Sequence, residues 1–156
     1  MSTLIINSPV GALLLCSDGQ AITQLSWLDK KAPRPTDDPD PVCRLAATEL
    51  QAYFAGSLRN FTISVSLGGS KLQRGVWNAM VKIPFGAVLT YGDVAHALGA
   101  GPQAVGAACG QNPVPIIVPC HRIVGGGGKL TGFSGGNGVE TKAFLLDLEW
   151  GQGRLI

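Results

Sequence analysis

The segment Pro119-Cys120-His121-Arg122, reached through the apolar run Pro115-Ile116-Ile117-Val118, holds the residue types in this sequence best suited to chemistry. Each proline fixes its own φ and pushes the residue before it out of the α region, which predicts a stiff, extended support for the cysteine. A free thiol, with a pKa of about 8.5, is only slightly ionised at neutral pH. Cys120 therefore needs a base. The sequence offers His121 beside it and the carboxylates of the last helix, among them Glu149, which Trp150 follows at once. A histidine that takes the thiol proton, steadied by a buried carboxylate on its other nitrogen, is a general arrangement for an activated nucleophile, and it predicts a partly accessible thiol with a pKa below the free value. Neighbouring side chains on an extended strand point to opposite faces, so a proton hand-off from Cys120 to His121 requires a turn there or a water between the two. The competing reading of Cys120 is a small buried hydrophobe.

Composition narrows the classes. A chain of 156 residues is long enough for one domain with a sizeable core or for two small ones, and 46% hydrophobic residues exclude disorder. The four cysteines, Cys16, Cys43, Cys109 and Cys120, form no C-x-x-C pair, and with two histidines in all a zinc site is not expected. Free thiols and the lack of a signal peptide or long apolar run read as a cytoplasmic protein that does not enter a membrane. The net charge of +2 is unevenly spread, with residues 1–69 at −1 and residues 70–156 at +3. That asymmetry permits a polyanionic partner on the second half without demanding one.

The elements that must position the cysteine lie mostly in that second half. Ser70 with Gln73 fits a capping box for a helix that presents Leu72, Val76, Trp77 and Met80 inward and stops near Ile83. Thr90 caps a helix through Tyr91, Gly92 and Asp93 to Leu98, and Gly99 ends it. Pro102 starts another that runs toward Asn112. Two short helices about a glycine turn predict a helix-turn-helix, the second kept narrow by Gly106, Ala107 and Ala108. From Gln103 to Asn112 no side chain is charged, which excludes an ordinary major-groove reader. Gly125–Gly128 lacks the lysine and hydroxyl of a phosphate loop and reads as a mobile loop beside the pocket. Asn137 is placed to cap the last helix, with Phe144, Leu145 and Leu148 as its buried stripe.

The first half holds no catalytic constellation. Residues 2–6, 10–16 and 21–28 read as three strands, the first two a hairpin and the third extending the sheet, and residues 30–41 as a polar surface loop. Asp40-Pro41 opens a helix with Leu45, Ala46, Leu50, Tyr53 and Phe54 on one face, and residues 61–65 alternate like a strand. The fold class is therefore α+β: a small amino-terminal domain over residues 1–69 with an antiparallel sheet and a helix, and a mostly helical domain with a helix-turn-helix over residues 70–156. The first serves as a scaffold for the second.

Val76-Trp77, IPFGAVLTYGDVA (83–95), AVGAACGQNPVPIIVPCHRIVG (104–125), LTGFSGG (130–136) and KAFLLDLE (142–149) resemble the catalytic domain of the O6-alkylguanine-DNA alkyltransferases, in order and at nearly the same spacing. The resemblance covers about half the chain closely, and residues 1–69 loosely. It implies DNA repair by a single-turnover methyltransferase that moves an alkyl group from O6 of guanine, or O4 of thymine, onto Cys120, with no cofactor and no metal. His121 would relay the thiol proton through a water and Glu149 would orient it. Asn112 would brace the turn before the cysteine, and Tyr91 would help protonate the departing guanine. Ser134, Phe133, Ile123 and Gly135 would contact the base.

The same resemblance implies a monomer on double-stranded DNA, bound through the minor groove with the damaged base flipped out. Gln103, Ala104, Gly106, Ala107, Thr90, Tyr91 and Arg122 would face that DNA, although Arg122 also suits a structural salt bridge. Gln103 stands where the family has an arginine that fills the vacated base stack, Gly110 where relatives are often basic, and Phe133 where they often have tyrosine. Two other classes stay open on the residues alone: a cysteine hydrolase, which would turn over, and a non-catalytic binder of alkylated DNA, for which Cys120 would be dispensable.

Overall fold

Short strands joined by Asx and Ser turns build the first part of the chain, and capped helices of fewer than four turns build most of the second. The computed structural model describes residues 2–28, 38–131, 133 and 135–153. The chain divides into two units, Met1–Leu67 and Gly68–Ile156.

In the first unit, β1 (Ser2–Ile6), β2 (Leu13–Ser17) and β3 (Ile22–Trp27) form an antiparallel sheet in that order. Asp18 makes the second turn tight, its carboxylate accepting from the amides of Gln20 and Ala21 at 2.9 Å each. Helix α1 (Pro41–Phe54) packs on β1 and β2. Asp40 caps it by accepting from Cys43 N at 2.8 Å, and ties the cap to the sheet through the hydroxyls of Ser17 and Ser2. The buried stripe is Cys43, Ala46, Ala47, Leu50 and Tyr53, whereas Leu45 is 46% exposed and Phe54 only half-buried, so the inward face is rotated from the one expected. Residues 61–65 are not a strand beyond a single bridge between Ile22 and Val65. The buried carboxylate of Glu49 takes the amides of Thr62 and Ile63, at 2.9 and 3.0 Å, which removes them from any ladder. Of the expected surface loop, residues 30–37 lie outside the described residues.

The second unit opens with α2 (Lys71–Val81), closed by the Ser70–Gln73 capping box. Val76, Trp77 and Met80 are buried, but Leu72, in the first turn, is 37% exposed. β4 (Leu89–Thr90) leads into α3 (Tyr91–Leu98), whose own box pairs Thr90 with Asp93, and Gly99 ends α3 at φ 63°, in the left-handed region. α4 (Pro102–Gly110) starts on Pro102. It is held to α2 by the Trp77 indole, which donates to Ala108 O at 2.9 Å. β5 (Ile123–Val124) pairs in parallel with β4, Leu89 opposite Ile123 and Thr90 opposite Val124. This two-residue ladder places the start of α3 beside the cysteine segment. α5 (Val139–Gly153) begins two residues after Asn137, whose amide donates to Thr141 Oγ1 at 2.9 Å; Asn137 is therefore not the N-cap. Along α5, Leu145 and Leu146 are buried, Leu148 is half-buried and Phe144 is 40% exposed.

Candidate active site

The run before the cysteine is a turn rather than an extended support. Val118 N donates to Val114 O at 2.9 Å, and Ile116 sits at φ 74°, a left-handed backbone that a β-branched residue adopts only under constraint. Asn112 supplies part of that constraint: its Oδ1 accepts from Val114 N at 3.0 Å and its Nδ2 donates to Val118 O at 2.8 Å. The chain then enters a 3-10 turn, Cys120–Arg122, with Cys120 N on Val118 O and Arg122 N on Pro119 O. Two prolines restrict a chain to few conformations without selecting the extended one.

That turn carries His121 and Arg122 together onto one residue of α5. His121 is fully buried, and its Nε2 lies 2.6 Å from Glu149 Oε2. Arg122 Nε donates to Oε1 at 2.9 Å and Nη2 to Oε2 at 3.1 Å, while Nη1 donates to Ile83 O at 2.7 Å. Gly86 N adds a fourth donor at 3.2 Å on Oε1. A carboxylate gripped in this way can only accept from the imidazole, so Nε2 carries the proton and Nδ1 keeps a lone pair. Nδ1 is buried without a hydrogen-bond partner among the described residues. Burial holds His121 below the usual histidine range, only partly opposed by Glu149, and the positive charges of Arg122 and Lys142 lower it further. A neutral imidazole at neutral pH is the form that can accept a proton.

Cys120 is 8% exposed, and burial pushes its thiol up rather than down. The Asn112 side chain and the Lys142 ammonium pull the other way without winning. The expectation of a partly accessible, acidified thiol is thus overturned: desolvation of a nearly closed site outweighs the polar groups around it. Raised in this way, the Cys120 thiol keeps its proton at neutral pH. Cys109, likewise buried, is pushed up to about 12, its burial compounded by Cys120 nearby.

Lys142 and Thr131 were not singled out from the sequence. Lys142 is 1% exposed; its Nζ donates to Ile123 O and, at 2.7 Å, to Thr131 O, and it stands 5.6 Å from the centre of the Tyr91 ring. The signal was present: Lys142 is two turns before Glu149, in line with Leu145 and Leu146, so a lysine interrupts the buried stripe. Thr131 O also accepts the Tyr91 hydroxyl at 3.0 Å. An open surface depression of about 340 Å³ is lined by Tyr91, Pro102, Gln103, Gly106 and Thr131. It is within the size range of small-molecule sites.

Of the remaining expected residues, Gln103 and Ala107 are exposed and Ala104 and Gly106 half-buried on α4. Thr90 is occupied as the cap of α3. Ile123 and Phe133 are buried and Gly135 is half-buried, while Ser134 lies outside the described residues. Arg122 does not reach a DNA surface: it is 6% exposed and its guanidinium is engaged by Glu149 and Ile83.

A buried cysteine, histidine and glutamate in the unit that also carries the α3–α4 helix-turn-helix define a class of thiol-nucleophile proteins built to work on nucleic acid. Residues 71–151 match the DNA-binding domain of 6-O-methylguanine DNA methyltransferase, and residues 2–67 match the ribonuclease-like domain of the same proteins. The chain belongs to the methylated-DNA–protein-cysteine methyltransferase family. It is 43% identical over 149 residues to that methyltransferase from Mycobacterium tuberculosis, covering 92% of this chain and 89% of the relative. With the protein from Methanosarcina acetivorans it shares 39% over 151 residues, 93% of this chain and 96% of the relative. The crystal structure of the Mycobacterium tuberculosis O6-methylguanine methyltransferase superposes with a TM-score of 0.87 at 39% identity, over 99% of this chain and 96% of that one. The structure of the Mycobacterium tuberculosis protein in complex with DNA gives 0.83 at 43% identity, over 95% and 92%.

Proposed function

We propose that Cys120 is the residue that accepts the alkyl group, with His121 and Glu149 as its base. The protein is a DNA repair methyltransferase that transfers an alkyl group from O6 of guanine to a cysteine. One observation carries the assignment of residues: His121, next in the chain to Cys120, has its Nε2 fixed on Glu149 at 2.6 Å, which leaves a buried Nδ1 lone pair without a partner among the described residues. As the thiol proton passes to Nδ1 through a water, Sγ forms a bond to the alkyl carbon and the carbon–O6 bond breaks. The guanine leaves with a proton from the Tyr91 hydroxyl, which turns to it from Thr131 O, and the proton held by His121 returns to Tyr91 through solvent. The net change is one thiol proton moved to guanine, and the product is a thioether that water does not hydrolyse, so each molecule acts once.

The uncharged outer face of α4, with Gln103, Ala107 and Gly110 exposed, supports approach to the minor groove with the base flipped out toward Cys120. The test is intact-mass and peptide analysis after exposure to an O6-methylguanine oligonucleotide. One methyl group on the peptide containing Cys120, and none in Cys120→Ala, is expected. Repeated turnover, or labelling at Cys109, would sink the reading.

Gln103 sets a second expectation. Glutamine is shorter than arginine and uncharged, so it fills a vacated base stack less well and gains nothing from nearby phosphates. Gln103→Arg should raise the rate on duplex DNA roughly tenfold, since flipping costs a few kcal/mol that a better wedge offsets. The rate with free O6-benzylguanine, which has no stack to break, should stay the same. An equal change in both rate constants would assign the wedge to another side chain.

A further inference from the structure

Two consecutive residues of α5 grip one glycine. Glu149 Oε1 accepts from Gly86 N at 3.2 Å, and the indole Nε1 of Trp150 donates to Gly86 O at 3.0 Å. Gly86 lies in the loop between α2 and β4 at φ 83°, a conformation that suits glycine and turns its amide toward the carboxylate. The peptide units on either side of Gly86 are thus pinned from the same helix, one by the carboxylate that orients His121 and the other by a half-buried side chain outside the site.

Glu149 accepts two hydrogen bonds from Arg122, one from His121 and one from Gly86. Each donor draws on the same negative charge, so a donor held on Oε1 weakens what Oε2 offers to the imidazole. We propose that Trp150 is a positioning residue for the histidine–glutamate base: by holding the Gly86 carbonyl it keeps the Gly86 amide on Glu149, and so sets how strongly Glu149 draws the Nε2 proton of His121. The proposal rests on His121 being the base for Cys120. The charged groups bearing on His121 are Glu149 and Lys142 from α5 and Arg122 from its own turn. The end of α2 reaches the turn through the Ile83 carbonyl on Arg122. Trp150 is uncharged, and the route from its indole to the imidazole runs through Gly86 and Glu149.

Trp150→Phe keeps a ring and removes the N–H. With the Gly86 amide released, Oε1 regains charge, the bond from His121 Nε2 to Oε2 strengthens, and the imidazolium is favoured over the imidazole. Two readouts follow. In proton NMR the protected Hε2 resonance of the buried His121 should move downfield, while the carbon-bound ring protons of the exposed His96 stay in place. The acid limb of the rate of Cys120 alkylation by free O6-benzylguanine should move to higher pH by about half a unit, a roughly threefold loss of rate on that limb. A lowered Tm with both readouts unmoved would make Trp150 a packing residue and overturn the proposal, as would wild-type behaviour throughout. The NMR readout needs no alkyl transfer, so a shifted Hε2 in a protein whose Cys120 is never labelled would sink the functional reading while showing that Trp150 still sets the bond between His121 and Glu149.

Discussion

Glu149→Gln is expected to cost the protein both stability and reaction. The substitution keeps the shape of the side chain and removes the charge that a buried guanidinium and a buried imidazole share. Arg122, only 6% exposed, would be left with an uncompensated charge, and breaking a buried pair from one side costs about 3–5 kcal/mol. An amide also no longer dictates the tautomer: it can offer its nitrogen to His121 and turn the proton onto Nδ1, where it blocks the hand-off from Cys120. Losing the orienting carboxylate of a base of this kind lowers rates by up to about 10⁴-fold. Urea unfolding and the second-order rate with free O6-benzylguanine, measured well below the unfolding midpoint, separate the two effects. A variant that is destabilised yet reacts at the wild-type rate would reduce Glu149 to a structural anchor.

Lys142→Met should produce the second-largest loss. Methionine replaces the aliphatic stem and leaves the carbonyls of Ile123 and Thr131 without their shared donor, at about 1–3 kcal/mol for each buried acceptor that finds no other. Part of that is returned because a lysine whose pKa burial holds down no longer has to be desolvated. The net fall in stability should therefore be smaller than for Glu149→Gln. The chemical effect is less compensated. Lys142 is the cation that opposes the upward push on the Cys120 thiol, and without it the thiol ionises less readily. Thiol reactivity at neutral pH should fall roughly tenfold, with the rate recovering as pH rises toward the new thiol pKa. Iodoacetamide labelling of Cys120 as a function of pH measures this without DNA. An unchanged profile would show that Lys142 holds carbonyls and nothing more.

What the sequence made legible, and what it hid, divides along physical lines. Local rules sufficed for the caps at Asp40, Ser70 and Thr90, since each is a hydrogen bond within three residues. They also sufficed for the three-stranded sheet and the helix-turn-helix. Cys120 and His121 stood out as neighbours with complementary chemistry. That their partner is Glu149 and not Asp147 depends on which face of α5 turns inward: Asp147 is exposed and Glu149 is 1% exposed. Residue types alone left that choice open, and the family resemblance made it. Lys142 was missed because a buried lysine contradicts its usual behaviour and is explained only by carbonyls on two other segments. The strand expected at residues 61–65 failed for the same kind of reason, a carboxylate 13 residues away taking its amides. The direction of the Cys120 thiol was misjudged because desolvation depends on what the whole fold packs over a residue.

The near-closure around Cys120 has a meaning beyond catalysis. If Cys120 takes the alkyl group as proposed, the product at this 8% exposed residue is a thioether, whose C–S bond neither water nor solvent thiols break. The mark is therefore permanent for the life of the molecule. A cell's stock of the alkylated form would be an integrating dosimeter, a count of lesions met since synthesis and erased only by degradation and dilution.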